Sequence, residues 1–233
     1  MRGLFFTGSD TGVGKTRVTA AVARIVRRQG RPVRVCKPVA TGAEWSGGRW
    51  LGEDTQCLAE AAGDDDLEGI TPWAFAEPAA PPVAARCAGT ALTLDQLTAA
   101  VRRRQVSGAL LLLEGVGGLL CPLTDRDTVA DLAAALALPL VVVVRRSLGT
   151  LNHTLLTLEV AAARGLTVAG VVVSETTPVR NVAERTNVEE LRRLSVPLLA
   201  VVPHQPMAAE PEALAAVDWW GLGKPVPEQP SER

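Results

Sequence analysis

Six short apolar runs recur along the chain, interrupted by a charge only at Arg34: Leu4–Phe6, Val33–Cys36, Leu110–Leu113, Leu140–Val144, Val168–Val173 and Leu198–Val202. A strand covered by helices on both faces reads as such a run, whereas a strand with one wet face alternates apolar and polar residues. The stretches between the runs have helical periodicity. They are Lys15 to about Gln29, Asp54–Ala62, Thr93 to about Arg104, Thr128–Leu136, Thr150–Arg164 and Ala183–Leu194. The expectation is an α/β chain whose mostly parallel, six-stranded central sheet is flanked by helices in three layers. Thr93-Leu94-Asp95-Gln96 has the form of a capping box, and Gly30, Gly108 and Gly165 stand where helices should stop.

Two regions break the pattern. Ala76–Pro82, rich in Ala and Pro, reads as an irregular connection, and beyond Val202 the chain becomes Pro-rich. A single domain over residues 1–224 with a flexible C-terminal tail over 225–233 is expected, with Trp219 and Trp220 docking back onto the domain.

Composition narrows the function. In 233 residues, 24 basic and 25 acidic side chains leave a net charge of -1, so no global field attracts a nucleic acid backbone. Four scattered cysteines without a C-x-x-C and two histidines suggest neither a zinc cage, a disulfide framework nor a His-based triad. The opening apolar segment is too brief for a signal-peptide core, and Leu132–Val144, broken by Pro139, is too short to cross a bilayer. A cytoplasmic protein without a membrane partner is the expectation. Only three of the basic residues are lysine, namely Lys15, Lys37 and Lys224. Where arginine serves nearly every positive position, each lysine is a place to look for a site that needs a compact ammonium.

The first strand runs into Gly8-Ser9-Asp10-Thr11-Gly12-Val13-Gly14-Lys15-Thr16 and then a helix. Backbone N–H groups of such a turn point at phosphates, Lys15 reaches the terminal ones, and the Thr16 hydroxyl can ligate Mg2+. Ser9 occupies the first glycine position of the strict motif, and Gly8 falls one residue early. Lys37, in Val35-Cys36-Lys37-Pro38-Val39-Ala40-Thr41-Gly42, sits at the C-terminal edge of a strand, where ligands bind in open α/β sheets. Leu110–Leu113 delivers Glu114, followed by Gly115-Val116-Gly117-Gly118, in the manner of a metal-carboxylate strand. Leu148-Gly149-Thr150-Leu151-Asn152-His153-Thr154 opens a helix whose free amides favour an anion; simple N-capping by Thr150 accounts for it equally well.

Together these segments resemble the dethiobiotin synthase family. GSDTGVGKT is similar to its phosphate loop, KPVATG to its second-strand motif, EGVGG to its carboxylate strand and LGTLNHTLLT to its substrate-carboxylate loop, with Phe75-Ala76-Glu77-Pro78 similar to a further stretch. The resemblance implies a P-loop NTPase-type fold and a homodimer. It implies Mg2+- and ATP-dependent conversion of 7,8-diaminopelargonate (7,8-diaminononanoate) and CO2 or bicarbonate to dethiobiotin, ADP and phosphate, through a carbamate and a carbamic-phosphoric anhydride. Lys15, Lys37, Thr11 and Thr41 would then be catalytic. Gly12, Val13, Gly14, Lys15, Thr16, Ser174 and Pro203 would bind nucleotide, and Thr16, Asp54 and Glu114 would hold Mg2+. Lys37, Thr41 and Gly117 would contact the substrate, with Leu148, Gly149, Thr150, Leu151 and Asn152 receiving its carboxylate across the dimer interface.

The chain departs from the family pattern at Gly12, where some members carry Glu, and at Ser147, where some carry Lys. Ser174-Glu175 replaces an Asn-Asp pair, and Arg185 falls near where some members present an aromatic residue. The alternative is a partitioning or switch ATPase of related fold acting through protein association. Such proteins carry an additional lysine early in the phosphate loop, and residues 8–13 have none. A cobyrinate-type amide synthase would need a glutaminase domain, and a GTPase an N-K-x-D motif that the chain lacks.

Overall fold

The computed structural model describes residues 1–206 and 210–224, so the expected tail over 225–233 lies outside the described residues. In chain order the elements are β1 (Gly3–Gly8), α1 (Lys15–Arg28), β2 (Val33–Cys36), β3 (Val39–Thr41), β4 (Glu44–Ser46), β5 (Arg49–Leu51) and α2 (Glu53–Ala62). Then come α3 (Leu67–Ile70), β6 (Trp73–Phe75), α4 (Pro81–Cys87), α5 (Leu94–Arg103), β7 (Leu110–Gly118) and α6 (Val129–Leu136). The chain continues through β8 (Leu140–Arg145), α7 (Thr150–Ala163), β9 (Val168–Ser174), α8 (Val182–Arg193), β10 (Leu198–Val202), α9 (Glu212–Ala215) and α10 (Trp219–Leu222).

The six apolar runs form one sheet in the order β10-β9-β8-β1-β7-β2, and every pairing in it is parallel. Strand pleating divides each run between two cores. Leu4 and Phe6 pack with Val18, Val22 and Ile25 of α1, while Phe5 faces Leu97 of α5 and Leu132 of α6. Along β8, Val141 and Val143 join the α1 side, and Val142 and Val144 pack with Val188 and Leu191 of α8. Helices therefore cover both faces, giving the three layers expected. The capping box forms as its residues predict: the Gln96 N–H donates to Thr93 Oγ1 at 3.3 Å and the Thr93 N–H to Gln96 Oε1 at 3.0 Å.

The structure adds elements that periodicity did not reveal. β3 and β6, three residues each, pair in parallel beyond the end of β2, and β4 and β5 form a hairpin about Gly47-Gly48. The connection expected over Ala76–Pro82 ends early, because Pro81 starts α4; a proline tolerated in a helix belongs in that first turn, where its missing N–H has no partner to lose. Gly108 does not terminate a helix, since α5 already stops at Arg103. Past Val202 the chain forms two more short helices, and Trp219 docks as expected. It is buried 6.1 Å from the Phe6 ring, with Nε1 donating to the Leu214 carbonyl at 2.7 Å. Trp220 lies against the guanidinium groups of Arg2 and Arg31.

Candidate active site

The loop after β1 is built around close approaches. A Cβ on Gly8 would stand 2.7 Å from the Asp10 carbonyl and 2.9 Å from Lys15 Nζ, so Gly8 performs the close approach that the strict motif assigns one residue later. Gly14 has φ 94° and sits so near Ser174 that a Cβ would meet Ser174 Oγ at 2.6 Å. Lys15 opens α1 and folds back to donate to the Asp10 carbonyl at 3.2 Å. Arg145, at the end of β8, donates to the next carbonyl, Thr11, at 3.1 Å.

Beside this loop β1 and β7 lose their simple register. Phe6 pairs with Glu114 but Gly8 with Gly118, so β7 bulges over the intervening residues and continues past the expected end at Leu113. Bulges re-aim side chains next to sites. Glu114 is fully buried, with Oε1 accepting from Thr16 Oγ1 at 2.8 Å and from Lys37 Nζ at 2.8 Å. Lys37 follows β2, its N–H pinned to the Ile70 carbonyl at 2.8 Å, and its ammonium also donates to Asp54 Oδ2. Asp54, in the first turn of α2, lies 2.8 Å from the same Thr16 Oγ1, whose single proton the two carboxylates share.

Two ammonium groups and two carboxylates thus share one cleft, and their environments differ. Burial pulls the Lys15 ammonium below the ordinary lysine value, and the Lys37 charge adds to that, against Glu114 and Asp54. Burial acts on Lys37 in the same direction, but Glu114 and Asp54 together outweigh it and hold that ammonium above the ordinary value. For Asp54 burial is again the largest single influence and favours the neutral acid, yet Lys37, Thr16 and Lys15 together hold the carboxyl below its usual range. The two carboxylates thus favour the charged form of Lys37.

Glu114 Oε2 is buried without a hydrogen-bond partner among the described residues. An orphaned carboxylate oxygen is costly unless something binds it. With Thr16 and Asp54 it makes a set of hard oxygen donors limited to two carboxylates and a hydroxyl, the kind of site in which Mg2+ keeps waters and substrate phosphates as its other ligands. The residues present fit that ion.

The cleft encloses about 400 Å3, and Thr11, Gly12, Gly14, Lys15, Thr16, Lys37, Thr41, Asp54, Glu114 and Gly117 line it. Val13 turns into the core instead. Ser174 is fully buried under Gly14, and the Pro203 carbonyl is held by Arg17. Leu148, Gly149, Thr150, Leu151 and Asn152 do not line the cleft of their own chain. Nor does Thr150 cap α7: Gly149 is the cap residue, and the Thr150 hydroxyl is buried without a partner among the described residues. A second groove of about 340 Å3 shares Thr11 and Gly117 with the cleft and continues over Leu119, Leu120, Leu156 and Val160.

The geometry has relatives. A family model described as an AAA domain matches residues 2–212. A protein named ATP-dependent dethiobiotin synthetase BioD from Anaeromyxobacter dehalogenans is 44% identical over 222 residues, covering 93% of this chain and 97% of its own. The chain belongs to the dethiobiotin synthetase family. Proteins of the same name from Aromatoleum aromaticum and Anoxybacillus flavithermus are 42% and 34% identical, covering 92% and 94% of this chain and 96% and 100% of their own. Among solved structures, chloroplast FtsY from Physcomitrella patens superposes with a TM-score of 0.50 at 18% identity, covering 96% of this chain and 65% of that one, a likeness of fold alone.

In this dethiobiotin synthetase family chain, sequence reading missed Arg17 and Val116 in the cleft and the apolar wall of the second groove. No local signal marked Arg17, because its acceptors at Glu175 and Pro203 lie far along the chain.

Proposed function

We propose that residues 1–224 act as one domain that converts 7,8-diaminononanoate, CO2 and ATP to dethiobiotin, ADP and phosphate. The observation that carries this reading is the buried Lys37 ammonium, held between Glu114 and Asp54 in the same cleft as the phosphate-binding loop. A partitioning or switch ATPase carries its additional lysine within the phosphate loop; a second buried ammonium placed instead after β2, held between two carboxylates, suits a reaction with another anionic reactant.

One amine of the substrate attacks CO2 and loses a proton, giving a carbamate. A carbamate oxygen attacks the γ-phosphorus, and ADP leaves. The second amine then attacks the carbamic carbon, closing the ureido ring and expelling phosphate. Each species is anionic and hydrolysable, so fixed charge and in-line positioning carry the catalysis. Lys15 offsets charge on the transferring phosphoryl group. Lys37 binds the carbamate, and the Thr11 and Thr41 hydroxyls orient its oxygens and those of the phosphate. Thr16, Asp54 and Glu114 hold Mg2+, which when bound neutralises phosphate charge. The amides of residues 12–16 bind the phosphates, and the nucleoside end points toward Ser174 and Pro203.

The backbone at Gly117 approaches the substrate amines, and the alkyl chain follows the groove over Leu119, Leu156 and Val160. Its carboxylate meets the amides of residues 148–152 at the start of α7 in a second subunit. The exposed Leu120 and Leu156, which line that groove, and the exposed Leu148 at the start of α7 support a homodimer, since they leave apolar surface to be covered. The reading places the protein in the cytoplasm, where ATP and the diamine meet.

Mixing the purified protein with ATP, Mg2+, diamine and bicarbonate tests the proposal. Mass spectrometry should find the ureido product in step with ADP, and none when any component is omitted. ATP hydrolysis without product, or no binding of the diamine, would contradict it.

A further inference from the structure

The strand order divides the cleft. Glu114 on β7 and Lys37 after β2 lie to one side of the β1 loop, while β8, β9 and β10 extend to the other. The transferable phosphate must face Lys37, Asp54 and Glu114, so the nucleoside leaves the loop toward the ends of β9 and β10. The residues that follow those ends are Glu175 and Pro203.

Arg17 spans that gap. It lines the cleft from the first turn of α1, is 9% exposed, and donates through Nη1 to the Glu175 carbonyl at 3.1 Å and through Nη2 to the Pro203 carbonyl. Glu175 is fixed in turn, its carboxylate paired with Arg146 and accepting the His204 N–H at 3.1 Å. Phosphate binding by the loop requires none of this. Enclosing a guanidinium is costly, and an apolar side chain would join helix to sheet as well. Its two carbonyl acceptors instead fix a planar, polar group between both loops, beside the path of the nucleoside.

We propose that Arg17 is a positioning residue for the base and sugar of the nucleotide. It clamps the loops after β9 and β10 into the wall against which the nucleoside lies. The inference rests on the ATP-dependent reading above and adds to it a determinant outside the phosphate loop. A clamp of this kind contributes to binding of the whole nucleotide and nothing to binding of its phosphates.

The test compares wild type with Arg17→Leu and Arg17→Lys in steady-state turnover, in calorimetric binding of Mg-ADP, and in binding of inorganic tripolyphosphate, which carries the phosphates without a nucleoside. For Arg17→Leu, KM for ATP and Kd for ADP should rise at least about tenfold, the effect of losing two charge-assisted hydrogen bonds. The value of kcat should stay within about twofold and tripolyphosphate affinity should not change. Arg17→Lys, which keeps charge and stem but can reach only one carbonyl, should fall between, and it carries the test if the leucine variant does not fold. Unchanged ADP affinity, or equal losses for ADP and tripolyphosphate, would overturn the proposal. If wild type makes no ureido product while ADP binding still depends on Arg17, the reaction reading falls and the clamp stands.

Discussion

The two ends of the cleft are built from different materials. At the β7–β2 end three charged side chains, Lys37, Asp54 and Glu114, and the Thr16 hydroxyl converge within hydrogen-bonding distance, and among the described residues one Glu114 oxygen has no partner. At the β9–β10 end the polar contacts run through backbone carbonyls, gathered by Arg17 and braced by the Glu175–Arg146 pair. Side-chain charge can stabilise a species that changes charge as it reacts, whereas carbonyls held by a guanidinium can only set a shape. The difference teaches a division of labour: chemistry at one end, grip on the nucleoside at the other.

The strongest way to break that division is Lys37→Arg. Lys37, 5% exposed, holds a compact ammonium between two carboxylates, and a bulkier planar guanidinium would displace them. Turnover should fall by about 10²–10³-fold, the cost of losing one preorganised stabilising donor, with ADP affinity within about threefold of wild type. Normal turnover would show that the site does not need an ammonium.

The next effect concerns what holds the reactive end in place. Asp64, just past α2, is buried against Arg104, which also bonds Asp66 at 2.8 Å and the Val35 carbonyl of β2 at 3.3 Å. Replacing Asp64 with Ala leaves that guanidinium without its buried partner, and should destabilise the fold by about 3 kcal/mol in chemical denaturation. Burial alone would raise the Asp64 carboxyl, but Arg104 and the hydrogen bonds to Asp66 and Arg34 outweigh it and hold the group below its usual range. A lowered folded-state value means that this stabilisation is complete above the ordinary carboxylate value of about 4 and is lost as pH falls through the folded one. The acid limb of the stability curve should therefore flatten in Asp64→Ala. The smallest effect sharpens the comparison by touching neither end: Thr93→Ala removes one half of the α5 capping box and should cost about 1 kcal/mol, with KM and kcat unchanged.

The fold was legible where a signal is local. Short apolar runs marked all six strands of the sheet, broken by a charge only at Arg34, and Thr93 with Gln96 marked a helix start. β3 and β6 escaped because three-residue strands have no periodicity to read and exist only through each other. At the site, the shortage of lysine exposed Lys15 and Lys37, and the glycine pattern exposed the loop. Asp54 looked like ordinary acidic surface until the family resemblance raised it, since its meaning lies in meeting Thr16, 38 residues away. Arg17 was hidden twice. Arginine is the common cation of this chain, and its acceptors lie 158 and 186 residues distant.

The most direct measurement of the central claim follows carbon-13-labelled bicarbonate through the reaction of wild type and Lys37→Arg, each with ATP, Mg2+ and the diamine. The account predicts that wild type places the label in the ureido carbonyl of the product, one label for each ADP released, and that Lys37→Arg binds ADP but yields almost no labelled product. Unlabelled product, ADP release without product, or equal labelling by both proteins would contradict it.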